Sequence, residues 1–135
     1  MRLIGLDWGT SRIGISVSDP LGTTALPLPF IKNDMGLIPN LKALISEYGI
    51  GEIIVGLPKR MNGTLGPSAE SVKAFCGSLE KELDIKISLW DERLTTKLAE
   101  KSFREAGISA KESRKLIDSS SASVMLQSYL DSGKR

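Results

Sequence analysis

Three acidic positions carry the chemistry this chain can do: Asp7, the neighbouring pair Asp91 and Glu92, and Asp118. Asp7 closes the apolar run Leu3, Ile4, Leu6 and is followed at once by a Gly-containing turn over residues 8–11, which places a carboxylate at the end of a strand expected to be buried. An ionised Asp is costly to desolvate there unless a cation compensates it, and a bound metal ion is the strongest compensation available. The competing reading is an Asp that merely opens a turn. The chain has no His and a single Cys, so a Ser-His-Asp triad, a Cys-His pair and a His/Cys zinc site are all excluded. Acid-base or metal chemistry must rest on Asp, Glu, Lys and Tyr, of which the carboxylates favour hard ions such as Mg2+ or Mn2+.

The elements that must position these acids follow from the hydrophobic pattern. Ile13, Ile15 and Val17 alternate with Gly14, Ser16 and Ser18, so the chain opens as a β-hairpin. Residues 23–31 read as a third strand, pushed towards a sheet edge by Pro27 and Pro29. Leu37, Leu41, Leu44 and Ile45 recur at helical spacing, with Gly49 where a helix would stop. Ile53, Ile54, Val55, Gly56 and Leu57 form the unbroken run expected of a parallel strand covered on both faces. A second helix carries Ala69, Val72, Phe75, Leu79 and Leu83; Cys76 falls within it as a small buried hydrophobe. Ile85, Ile87 and Leu89 then alternate as a strand ending in Trp90, Asp91 and Glu92. Two helical segments close the chain, one over residues 96–106 and one opened by the capping-box spacing of Ser109 and Glu112.

The pattern is α/β, and in such sheets functional groups gather beyond the carboxyl ends of parallel strands, where Asp7 and the Asp91/Glu92 pair both fall. Ser121 and Ala122 share a helical face with Asp118, so small residues would let that helix press on the sheet and bring in a third carboxylate. Three carboxylates about one point are a two-metal constellation of the kind that cleaves phosphodiesters. Strand alternation alone leaves open whether Asp91 or Glu92 is the member of the pair that takes part.

Net charge is only +2, yet residues 93–135 hold nine Lys/Arg against five Asp/Glu, so the basic character lies in the last third. A polyanionic partner fits this asymmetry, as does a solvated helix surface. Residues 57–67 join a buried strand to a helix N-terminus. Lys59 and Arg60 add charge there, Gly63 and Gly66 allow close approach, and Pro67 is suited to the first helical turn: a phosphate cradle, or an ordinary connection. Lys111, Arg114 and Lys115 precede Asp118 and would put positive charge where a phosphodiester must arrive. Trp8 is suited to stacking on a base or to partial burial beside the strand end.

With 135 residues, 41% of them hydrophobic, one domain spanning 1–135 is expected. The first apolar run is too short for a signal peptide or membrane span, so a cytoplasmic protein with no membrane contact is expected. Helices whose apolar stripes are used up on the sheet, with 5% aromatic residues, leave no extra apolar surface for a strong twofold interface, and a monomer is expected.

The segments 7–14, 55–64 and 91–96, together with Asp118, Ala122, Leu126 and Gln127, resemble the YqgF/RuvX family in order over nearly the whole chain. The resemblance implies a ribonuclease H-like fold: a mixed sheet opening with an antiparallel hairpin and flanked by helices. It implies a Mg2+- or Mn2+-dependent nuclease that matures the 16S ribosomal RNA precursor, with Holliday junction resolution on branched DNA as the alternative. Its metal-holding catalytic residues would be Asp7, Glu92 and Asp118, with Lys59, Arg60, Arg93, Arg114 and Lys115 binding nucleic acid. Ser11, where the family often has a basic residue, and Ser119 to Ser121, in place of a more apolar stretch, depart from the pattern. Two readings of other classes compete. The turn after Asp7 also resembles the phosphate-binding turn of sugar kinases and actin-like ATPases, which use two such lobes where this chain has one. A non-catalytic nucleic-acid-binding protein is the other.

Overall fold

Alternation of apolar and small residues in the first eighteen positions produces a hairpin of β1 (Arg2–Asp7) and β2 (Arg12–Ser18), paired antiparallel with Asp7 opposite Gly14. The computed structural model describes residues 2–57, 67–91, 105, 107, 109 and 121–132. Asn33 pins the turn beyond Asp7: its backbone N–H donates to the Ser11 carbonyl at 3.0 Å and its side-chain amide donates to the Gly9 carbonyl at 2.8 Å. A Cβ on Gly9 would collide with the carbonyl oxygen of Arg12, so this tight return requires glycine.

The strand β3 (Ala25–Lys32) adds antiparallel to β2, and β4 (Ile50–Leu57) and β5 (Lys86–Asp91) add parallel on the other side of β1. The five strands lie in the order β3-β2-β1-β4-β5, which makes β1 central and puts the proline-containing β3 at an edge, as its sequence predicts. Helix α1 (Leu37–Tyr48) ends at Gly49, whose left-handed φ of 65° lets its N–H bond the Ile45 carbonyl. Helix α2 (Pro67–Glu82) opens on the proline expected at its first turn. Both helices cover one face of the sheet, over Ile4, Leu6, Ile13, Ile15, Val17, Ile53 and Val55. Cys76 is buried there, its thiol pushed up to about 11 by desolvation and by Glu80, so it is a packing residue and not a nucleophile.

The other face carries helix α3 (Ser121–Asp131), whose Met125, Leu126, Tyr129 and Leu130 pack on Leu3, Ile54 and Trp90. Trp90 and Tyr129 meet edge to face at 5.4 Å. Gln127 ties α3 to the start of β3, accepting from the Ala25 N–H and donating to the Thr23 carbonyl, each at 2.9 Å. No helix among the described residues is long and apolar enough to cross a membrane.

Candidate active site

Asp7 lies half-buried at the carboxyl end of the central strand. The carboxyl ends of β1, β4 and β5 share one sheet edge, with Leu6 opposite Val55 and Leu57 opposite Asp91. Asp7 and the end of β5 therefore flank the end of β4, two strand spacings or roughly 10 Å apart across the sheet.

Alternation fixes the face. On β1, Leu3 packs in the α3 cluster and Gly5 lies against Leu126; Asp7 continues that series, so its carboxylate is on the α3 face. Small residues then let the helix come close. A Cβ on Gly5 would sit 2.6 Å from Ser16 Oγ and 3.0 Å from Leu126 Cβ, and one on Gly14 would sit 3.3 Å from Asp7 Cβ and 3.4 Å from Ala122 Cβ. The buried Ser16 hydroxyl donates to the Ala122 carbonyl at 2.9 Å, fastening the first turn of α3 to the sheet. Asp7 and the start of α3 thus meet at Gly14.

Of the acids that sequence singles out, Asp7 and Asp91 are placed; Glu92 and Asp118 lie outside the described residues, as do Lys59, Arg60, Arg93, Arg114 and Lys115. Among the described residues no three carboxylates, His or Cys cluster as a metal site. Asp7 is nonetheless a hard oxygen donor at a strand end, the chemistry that a Mg2+ or Mn2+ site uses. Trp8 is half-buried and packs against the α1/α2 core, which assigns it to packing. Two other carboxylates are structural. Glu52, 4% exposed, lies opposite Leu3 at the far end of β1, accepts from the Ser88 hydroxyl at 2.6 Å and has Lys86 Nζ at 3.5 Å. Asp19 closes the β2–β3 turn, its pKa lowered by hydrogen bonds from the Thr24 and Thr23 backbone.

Sequence reasoning gave no role to Ser16, Arg12 or Phe30. The Arg12 guanidinium lies 4.1 Å from the Phe30 ring centroid, and Phe30 Cε1 would be 3.5 Å from a Cβ on Gly14, beside Asp7. A groove of about 830 Å³ between β3 and α1, lined by Leu28, Met35, Leu44 and Tyr48 among others, does not include Asp7. It shows that the edge strand does retain apolar surface, contrary to the expectation that the chain has none to spare.

A central parallel pair with a hairpin on one side, and an acid at the end of the first strand, define an α/β protein of the ribonuclease H-like fold. The solved structure of T. thermophilus RuvC in complex with a Holliday junction substrate matches it with a TM-score of 0.59 over 99% of this chain and 97% of that one; at 11% identity the likeness is one of fold. The chain belongs to the RuvX family, described as Holliday junction resolvase, which it matches over residues 1–132. A protein of Geobacillus kaustophilus is 50% identical over 137 residues, covering 98% of this chain and 99% of its own. One of Clostridium perfringens strain SM101 is 46% identical over 133 residues, 97% of each. Both bear the name "Putative pre-16S rRNA nuclease".

Proposed function

We propose that the protein is a metal-dependent nuclease that hydrolyses phosphodiester bonds in the 16S ribosomal RNA precursor, with Asp7, Glu92 and Asp118 as its catalytic, metal-holding residues. The observation that carries this reading is the meeting of Asp7 with the first turn of α3 at Gly14. Asp118 stands three residues before Ser121, a span of at most about 11 Å of chain. On β5 the buried Trp90 packs against α3, and its neighbour Asp91 falls on the opposite face. That supports Glu92 over Asp91, a choice alternation alone left open. The names of the close relatives support the substrate.

A divalent ion held by these carboxylates supplies activation of a water and stabilisation of the leaving oxygen. The chain's own residues do the rest. Asp7, on the rigid central strand, fixes one corner of the site; Ser16 and the glycines hold α3 against it; and the cations Lys59, Arg60, Arg93, Arg114 and Lys115 bind the substrate's phosphates. The working unit is one domain, residues 1–135, acting as a monomer in the cytoplasm.

Binding should therefore be strongly salt-dependent. Neutralising any one of Lys59, Arg60, Arg93, Arg114 or Lys115 should reduce the slope of log affinity against log salt by about 0.7 for single strands or 0.9 for duplex, with little change in sequence preference. Unchanged slopes in titrations at several salt concentrations would make these residues a solvated surface.

Junction resolution is the second reading, favoured by the description of the family. A resolvase must cut two symmetric strands together and so needs a twofold dimer. Incubating the protein with ribosomal RNA precursor and with a four-way DNA junction, each with Mg2+ or Mn2+, separates the two. Cleavage of the precursor by a monomer is the expected result; paired symmetric nicks in the junction by a stable dimer would replace the first reading with the second, and cleavage of neither would overturn both.

A further inference from the structure

Beside Asp7, a bulge in the edge strand brings an aromatic ring and a guanidinium together. The β2–β3 register runs from Ile13 opposite Ile31 to Ile15 opposite Leu28, so Gly14 alone faces two residues, Pro29 and Phe30. In a regular strand Leu28 and Ile31 would face opposite sides, whereas here both pack on the α1/α2 core. The extra residue turns Phe30 to the other side, where its Cε1 and the Asp7 Cβ flank the same point above Gly14, at 3.5 and 3.3 Å. Phe30 remains 49% exposed. Arg12 lies over it at 4.1 Å and is itself exposed, and Lys32, Arg12's register partner, is exposed too.

A lone exposed Phe would need no explanation. This one is stacked under a guanidinium, with a second cation one strand across and the candidate catalytic acid at its edge. We propose that Arg12 and Phe30 form a stacking subsite for an unpaired nucleobase of the substrate, adjacent to the phosphate that Asp7 serves, with Lys32 contacting the backbone. The use of the subsite in cleavage rests on the nuclease reading; its binding chemistry does not. Unpaired bases stack on aromatic rings and guanidinium planes, whereas a base within a duplex has both faces taken, so the subsite selects single-stranded nucleic acid near the cut. The two flanking cations match a phosphate backbone. An added peptide strand fits less well, because Pro27 and Pro29 thin the hydrogen-bonding capacity of this edge.

The test is binding of short fluorescent single-stranded RNAs, in chelator so that no cutting occurs, with an abasic nucleotide placed at each position in turn. For the wild type, one abasic position should weaken binding roughly tenfold. Phe30→Leu, which keeps apolar volume and loses the π face, should bind the intact strand more weakly by a similar factor and be indifferent to that abasic position; Phe30→Trp should restore the dependence. Arg12→Lys, at an exposed position, should also blunt it while keeping the charge. The same series in DNA should behave alike, since stacking does not read the 2′-hydroxyl. The proposal is overturned if the wild type fails to bind single strands, if no abasic position matters, if the dependence is confined to RNA, or if Phe30→Leu keeps the full abasic penalty. Because no metal is present, these outcomes are independent of whether Asp7 supports cleavage.

Discussion

Replacing Asp7 by Asn should lower the cleavage rate by at least about a hundredfold, since even groups that only support a metal ligand are worth about 10–100-fold. That is a loss of about 2.7 kcal/mol or more of transition-state stabilisation. The amide is nearly isosteric, so shape is kept and only the charge is removed. The variant should still fold. Single-turnover cleavage read beside a denaturant titration checks both halves. Wild-type cleavage by the variant would remove Asp7 from the reaction, and a lost unfolding transition would make its role structural.

The second large effect is expected at Gly5. A methyl there would sit 2.6 Å from the Ser16 hydroxyl, which is held by its bond to the Ala122 carbonyl, and 3.0 Å from Leu126 Cβ, so α3 must move outward. Overpacking of this kind costs typically about 1–3 kcal/mol. Gly5→Ala should shift the denaturation midpoint down without changing the slope, and should also reduce cleavage as the start of α3 leaves Asp7. Gly14→Ala offers a contrast. Its nearest contacts lie at 3.3 to 3.5 Å, so the stability loss should be smaller, but the first atom met is Asp7 Cβ, and activity should fall further than stability alone explains. Equal effects of both substitutions on both properties would count against close docking of α3 as what organises the site.

Local signals were readable from the chain itself. The hairpin follows from alternation, the end of α1 from Gly49, the start of α2 from Pro67, and the edge position of β3 from its prolines. What the sequence hid depends on contacts between distant residues. β4 starts at Ile50, three residues before the apolar run at Ile53, because Glu52 is accommodated by Ser88 and Lys86 of the neighbouring strand. The bulge that turns Phe30 towards Asp7 exists only in the pairing of β2 with β3. Choosing between Asp91 and Glu92 needs to know which face α3 covers, and that is set by Gly5, Gly14 and Ser16, small residues whose role appears only once the helix lies on them. As a candidate, Asp7 stands out because a charge at the end of an apolar strand is costly; no comparable local cost marks Asp118.

The central claim is that Asp7, Glu92 and Asp118 share one divalent-ion site. Calorimetric titration of Mn2+ into the wild type, Asp7→Asn, Glu92→Gln and Asp118→Asn, with Asp91→Asn as the control, tests it most directly. Each of the first three substitutions should weaken binding at least about tenfold, as removing a metal's ligand must exceed the lower end of what its supporting groups contribute, while Asp91→Asn should bind nearly as the wild type does. Wild-type Mn2+ affinity in Glu92→Gln or Asp118→Asn, or a loss confined to Asp91→Asn, would contradict the account.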